Sequence, residues 1–228
     1  MKNELIAFLT KKRLLFWDFD GTLVNSEPIY YEAFQRAFAA AEIKITPTYF
    51  YETISFRGKK ASQILKEHDA TANESTVLAL ISKIITDATE AKHFKIFPEV
   101  RSILTAARDL GLKQAIVSNS KSTQIEKILV QNDILHLFDN IFGRDTTIVP
   151  KPSAEPYRYA LRCMEASDNE TLVFEDTETG LLSAQAAGID AVCLSTQSNN
   201  GFQTSARHID RLSHLEIFQT LRLTTTGR

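Results

Sequence analysis

The sequence predicts a doubly wound α/β domain, a parallel sheet covered by helices on both faces, interrupted by a small inserted helical unit. Two observations predict the sheet: short apolar runs recur along the chain, and amphipathic segments of helix length separate them. A third predicts the insert: from Pro28 to Phe97 the alternation stops and helical periodicity alone remains.

The first run, Leu14-Leu15-Phe16-Trp17, breaks abruptly into Asp18-Phe19-Asp20-Gly21-Thr22 and reads as a buried strand delivering carboxylates at its end. Asp18 and Asp20 are two positions apart and share a face in extended chain, and the glycine permits a sharp turn beyond them. Two carboxylates forced together require a cation or a proton. A simple Asx turn with surface acids is the alternative.

Next come three helical stretches, Pro28 to Ala41, Lys60 to His68 and Glu74 to Ala91. In the last, Val77, Leu78, Ile81, Ile84, Ile85 and Ala88 form an apolar stripe. A stretch this long is more than a crossover. It predicts a separate helical cap over residues 25–97, hinged near Val24–Glu27 and His93–Pro98, with residues 1–24 and 98–228 making the core.

The alternation then resumes. A helix from Glu99 to Leu110, stopped by Gly111, precedes the strand Gln114–Val117, and a helix from Ser122 to Gln131 precedes the strand Asn140–Phe142. A helix from Ala154 to Met164, capped by Ser153, leads to the strand Thr171–Phe174. A helix from Glu178 to Ala187, stopped by Gly188, leads to the strand Ala191–Leu194. The tail Thr224–Arg228 is expected to fray.

Composition narrows the function classes. The chain has 228 residues, 43% of them hydrophobic, enough for one large domain or a main domain with an insert. A formal net charge of −2 gives no electrostatic case for nucleic acid, and the short basic run Lys11-Lys12-Arg13 is expected to flank the first strand in solvent. Cys163 and Cys193 are too few for a disulfide framework, and Cys193, inside an apolar run, reads as a core residue. The five histidines lack zinc-site spacing. No apolar stretch is long enough to cross a bilayer, and the patch Leu5–Leu9 is too short for a signal-peptide core, so a cytoplasmic protein is expected.

The polar residues fall after the strands. Asp18 and Asp20 follow the first, Ser118-Asn119-Ser120 the second, Lys151-Pro152 the third, and Glu175-Asp176 the fourth. In an open parallel sheet ligands sit at the carboxyl ends of the strands, so four clusters converge on one crevice. Singly, each has an ordinary reading: a helix cap, a solvated loop charge, an acidic first turn. Jointly they fit one chemistry. Asp18, Asp20 and Asp176, with Glu175, offer hard oxygens suited to Mg²⁺. The cation and Lys151 offset the charge of a phosphoryl group, Ser118 and the Asn119 amide donate to it, and a carboxylate can attack phosphorus.

Asp18-Phe19-Asp20-Gly21-Thr22-Leu23-Val24-Asn25-Ser26-Glu27 resembles the first signature of the haloacid dehalogenase-like hydrolase superfamily. Ser118, Lys151-Pro152 and Phe174-Glu175-Asp176 with Gly180 and Ala184–Gly188 resemble its remaining signatures in order. The resemblance spans Leu14 to Leu194 and implies a Rossmann-like core with a C1-type cap, as in sugar-phosphate phosphatases and β-phosphoglucomutases. It implies Asp18 as nucleophile and Asp20 as general acid and then base, with the Asp20 carbonyl on Mg²⁺. Ser118 and Lys151 would hold the phosphoryl group, and Asp176 with Glu175 would anchor the metal. Asn25 stands where many relatives carry Asp.

The function this implies is an Mg²⁺-dependent phosphatase acting on a small phosphorylated metabolite, a sugar phosphate, with no nucleic-acid or membrane partner and no feature that sets an oligomeric state. The rival is a phosphomutase of the β-phosphoglucomutase type. Those enzymes carry a histidine twelve positions after the nucleophile, and here that position is Tyr30. A phospho-receiver domain also joins acids, a hydroxyl and a lysine, but it places its phosphoacceptor after a middle strand and has no cap. A non-catalytic phosphate-binding protein is disfavoured because none of the expected catalytic residues is missing. In the insert, Arg57 and Lys59 flank Gly58 where relatives carry a specificity loop; they either grip the substrate's non-reacting part or form a solvated basic turn.

Overall fold

The computed structural model of the chain describes residues 10–194 and 207–209. The apolar patch Leu5–Leu9 and the tail Thr224–Arg228 lie outside the described residues. Among these residues six parallel strands form one sheet: β1 (Leu14–Trp17), β2 (Lys113–Val117), β3 (Asn140–Phe142), β4 (Thr171–Glu175), β5 (Asp190–Leu194) and β6 (Arg207–Ile209). Their order is β3-β2-β1-β4-β5-β6. The strand order reverses at β1, which pairs with β2 on one side and β4 on the other, so the crevice at its carboxyl end is the natural ligand site.

Strand alternation sorts the core into two layers. Leu15, Trp17, Ile116, Leu172 and Phe174 pack under α5 (Val100–Asp109) and α6 (Ser122–Gln131), with Trp17 stacked on Phe174 at 4.2 Å. Leu14, Phe16, Ala115, Val117 and Val173 face the other way, onto α7 (Glu155–Met164) and α8 (Glu178–Ala187). The five expected strands and the four core helices are present, with ends shifted by a residue or two. Ala154 rather than Ser153 is the N-cap of α7, but the Ser153 hydroxyl still accepts the Glu155 amide at 3.2 Å. Strand β6 was not expected.

The insert packs as its own cluster. It holds α1 (Glu27–Ala39), α2 (Pro47–Tyr49, continued by a wider π-helical turn over Phe50–Ser55), α3 (Ala61–Glu67) and α4 (Glu74–Glu90). Ala33, Phe38, Ile45, Phe50, Ile64 and Ile81 lie at the centre of that cluster. The linkers run side by side: Val24 bridges Ile96 antiparallel, the Asn25 amide donates to Lys95 O at 2.9 Å, and the Phe97 amide to Leu23 O at 3.1 Å.

Three sequence expectations need correction. The helical segment Pro47–Ser55 was not foreseen, because its aromatic residues hide the period; the Thr46–Pro47 pair was the available signal, and the Thr46 hydroxyl does cap the Tyr49 amide at 3.2 Å. Leu78, placed on the apolar stripe of α4, is 46% exposed. Lys12, expected in solvent, is buried, and its ammonium donates to Asn169 O (2.9 Å) and Asp190 (2.8 Å), tying the start of β1 to the start of β5. Cys193 is buried in the core as expected. No helix among the described residues is long and apolar enough to cross a membrane.

Candidate active site

The site forms where β1 ends. The Asp18 amide continues the β1–β4 ladder by donating to Phe174 O at 2.9 Å, which sets its side chain in the crevice. The chain then folds tightly back: the Leu23 and Val24 amides both donate to Phe19 O, and Gly21 donates to Val24 O. Gly21 has φ +77°, and a Cβ there would stand 2.1 Å from Asp176 Oδ2. Only glycine meets both demands. The same turn sends the Thr22 hydroxyl to Asp176 Oδ1 at 3.0 Å, locking the ends of β1 and β4 together.

Lys151 comes from the loop after β3 and spends its three donors inside the protein. Its ammonium reaches Asp18 Oδ1 at 2.8 Å, Val117 O at 2.6 Å and Glu175 Oε1 at 2.5 Å, and lies 5.0 Å over the Tyr157 ring. Burial works against its charge, but Asp18 and Glu175 beside it hold its pKa well above the usual lysine range. Asn119 grips the same residue by its backbone, accepting the Lys151 amide at 3.0 Å and donating to its carbonyl at 3.3 Å. Ser118, 4% exposed, is fixed by its amide bond to Phe142 O and accepts the Ser120 amide at 3.1 Å.

Glu175 is fully buried. Its Oε1 accepts Lys151 and, at 2.9 Å, the Tyr157 hydroxyl; its Oε2 accepts Thr177 at 3.1 Å. Helix α8 passes so close that a Cβ on Gly180 would fall 1.9 Å from the Glu175 carboxyl carbon. Asp18, Glu175 and Asp176 each present an oxygen within 4.8 Å of the others. One lysine does not neutralise three buried carboxylates, and burial, then Glu175, pushes the Asp18 pKa up to about 8. A hard divalent cation fits this all-oxygen cluster, which the single ammonium leaves short of positive charge.

Asp20 points elsewhere. Its Oδ2 accepts the Ser120 hydroxyl at 2.5 Å, while its Oδ1 is buried without a hydrogen-bond partner. Burial raises its pKa; the Ser120, Ser26 and Tyr30 hydroxyls oppose the rise, though only Ser120 stands in hydrogen-bond geometry. Its side chain is outside the cluster of Asp18, Glu175 and Asp176.

The structure thus brings Asp18, Asp20, Ser118, Asn119, Lys151, Glu175 and Asp176 to one end of the sheet. The two cap residues separate. The Lys59 ammonium is bound within the cap, paired with Glu67 and 5.2 Å from the centre of the Tyr49 ring, because that carboxylate is its near neighbour on α3. Arg57 is exposed on a segment that docks against the core: the Glu178 amide donates to Phe56 O at 3.1 Å, and a Cβ on Gly58 would meet Thr179 at 2.7 Å. Sequence reasoning missed Thr22, Tyr157 and Thr177 as supports of the site, and it brought Ser120 to the crevice without giving it a role. Ser120 carried a signal, standing two positions past Ser118 at a strand end.

A family model described as haloacid dehalogenase-like hydrolase matches residues 15–194. A phosphoglycolate phosphatase of Colwellia psychrerythraea is 26% identical over 203 residues, covering 85% of this chain and 88% of that protein. Among solved structures, CbbY from Rhodobacter sphaeroides in complex with phosphate superposes with a TM-score of 0.75 at 19% identity, covering 90% of this chain and 99% of that one. A CbbY variant from the same organism in complex with xylulose-(1,5)bisphosphate gives a TM-score of 0.75 at 19% identity, over 87% and 93% of the two chains.

Proposed function

Since this chain belongs to the haloacid dehalogenase-like hydrolase family, as a phosphoric monoester hydrolase, we propose that it is an Mg²⁺-dependent phosphatase of a small sugar phosphate, working through an aspartyl phosphate. The observation that carries the proposal is the pairing of buried Asp18 with Lys151 at 2.8 Å, while Asp20 stands apart with one oxygen unbonded. A nucleophile, a cation for the phosphoryl oxygens and a separate acid/base are what the two half-reactions require.

In the first half-reaction an Asp18 oxygen attacks phosphorus, the bond from phosphorus to the leaving oxygen breaks, and Asp20 gives that oxygen its proton. In the second, Asp20 takes a proton from water, the water oxygen attacks phosphorus, and the Asp18–phosphorus bond breaks. As Asp18 bonds to phosphorus, the Lys151 donor that it had accepted passes to a non-bridging oxygen, Ser118 donates to another, and Asn119 keeps Lys151 in place. Asp18 and Asp176, with the Asp20 carbonyl, would hold Mg²⁺, which supplies positive charge to the phosphoryl oxygens. Glu175 stands within the same cluster and anchors Lys151.

The names of the relatives support a small organic phosphate as substrate, and the bisphosphate complex supports a sugar phosphate. Tyr30 in the position of the mutase histidine favours hydrolysis over phosphoryl return to a second hydroxyl. The test is phosphate release from a panel of sugar phosphates and phosphorylated short acids, with and without Mg²⁺. Metal-dependent release from one or a few members supports the reading, and none from any member overturns it.

A further inference from the structure

A chain of hydroxyls runs from Tyr30 through Ser120 to Asp20. Ser120 carries a single hydroxyl proton, and it is donated to Asp20 Oδ2 at 2.5 Å. The 3.3 Å contact between Ser120 Oγ and the Tyr30 hydroxyl therefore has Tyr30 as donor. Tyr30 lies in the first turn of α1, just past the linker out of the core. Its ring stands edge-on to Phe94, 6.3 Å away, and Phe94 is fully buried in the returning linker. The tyrosine is thus held between both linkers while its hydroxyl reaches the core.

We propose that Tyr30 is a positioning residue that acts through Ser120 to fix the plane of the Asp20 carboxyl group, so that Oδ1 exchanges the proton with the leaving oxygen. With Oδ2 held as an acceptor, Oδ1 is the oxygen left to carry the proton, and it is the buried oxygen with no partner. The relay crosses from cap to core at a contact near the long limit of a hydrogen bond. A small rotation of the cap about its linkers breaks it, so Asp20 is aligned when the cap is seated. The inference rests on the phosphatase reading and adds the residue that tunes its proton transfer.

The test compares phenyl phosphate, whose leaving group needs a proton, with 4-nitrophenyl phosphate, whose leaving group needs it far less. The quantity read is kcat/KM, which ends at the first irreversible step and so excludes the shared hydrolysis of the aspartyl phosphate. Tyr30→Phe keeps the ring on Phe94 and removes only the hydroxyl. It should raise the ratio of nitrophenyl to phenyl activity roughly three- to tenfold, a fraction of what general acid catalysis supplies. Ser120→Ala should raise it at least as much, and Tyr30→Phe in that background should add nothing. Equal losses on both substrates would overturn the proposal, as would losses that multiply in the double variant. If Ser120→Ala does not fold, the substrate ratio of Tyr30→Phe decides alone. A parent protein inert on both substrates with Mg²⁺ overturns the phosphatase reading itself, and this inference with it.

Discussion

The Lys151 ammonium lies 2.8 Å from the Asp18 carboxylate, with both groups buried at the point where β1 leaves the sheet. In the proposed reaction the nucleophile and the cation that receives the phosphoryl group are thus assembled before substrate arrives. Glu175 and Val117 O hold the other side of the ammonium, which fixes its position beside Asp18. Such preorganisation is where electrostatic catalysis draws its strength.

Replacing Lys151 by Met should be costly twice over. The apolar chain fills the space but leaves Asp18 and Glu175 buried and unpaired, a defect typically worth about 3–5 kcal/mol. Urea unfolding of the metal-free variant should show a midpoint well below the parent, and phosphate release should fall at least about a hundredfold. An unchanged midpoint would mean that the pair is not the buried contact described.

Metal should stabilise the protein more at high pH than at low. Burial, then Glu175, raises the folded pKa of Asp18 from 3.8 to about 8. The folded protein therefore holds a proton that the unfolded chain has released across that window, and metal-free stability falls as pH rises through it. A cation that takes the place of the proton restores the loss. Melting curves with and without Mg²⁺ at pH 5.5 and pH 8 should give the larger Tm gain at pH 8; an equal or smaller gain there would contradict the assignment.

Gly21 and Gly111 form a matched pair. Both have φ near +77°, but a Cβ on Gly111 meets nothing within 4 Å, whereas one on Gly21 meets the Asp176 carboxylate at 2.1 Å. Alanine carries the same backbone strain at either site, so the difference reads the contact with Asp176. Gly21→Ala should lose far more kcat/KM than Gly111→Ala when the two are assayed side by side. Equal activities would remove Asp176 from the tight junction with β1.

Arg57 and Lys59 should part company. Arg57→Ala should reduce kcat/KM for the best sugar phosphate roughly ten- to a hundredfold while sparing 4-nitrophenyl phosphate, as expected for a lost charge-assisted hydrogen bond. Lys59→Ala should change both substrates by a similar, small factor, because its charge is already met by Glu67. Equal behaviour of the two variants would return both to the surface of the cap.

The strands and the site were legible for a physical reason. A parallel strand buried on both faces leaves an unbroken apolar run, and the runs of β1, β2 and β4 pass directly into polar residues, so Asp18, Ser118 and Asp176 could be placed on a common edge. Lys151 was placed there by its loop after β3. The supports were hidden, because a hydroxyl such as Thr22 or Tyr157 looks like any other until the fold brings its partner near. Asp176 and Glu175 lie 154 and 18 residues away from them, respectively. The pairing of Lys59 was hidden for the same reason: its partner Glu67 sits on the next helix, and sequence spacing alone does not show which way a basic side chain turns.

The central claim is that the phosphoryl group passes through Asp18. The most direct measurement is intact and peptide mass analysis of Asp20→Ala, rapidly quenched during turnover of 4-nitrophenyl phosphate with Mg²⁺. That variant can be phosphorylated by a substrate with a good leaving group but lacks the base that activates water. A phosphoryl group is expected to accumulate on the peptide holding Asp18, and to be absent when Asp18→Asn is added. Release of nitrophenol by a protein that stays unmodified throughout would contradict the covalent route.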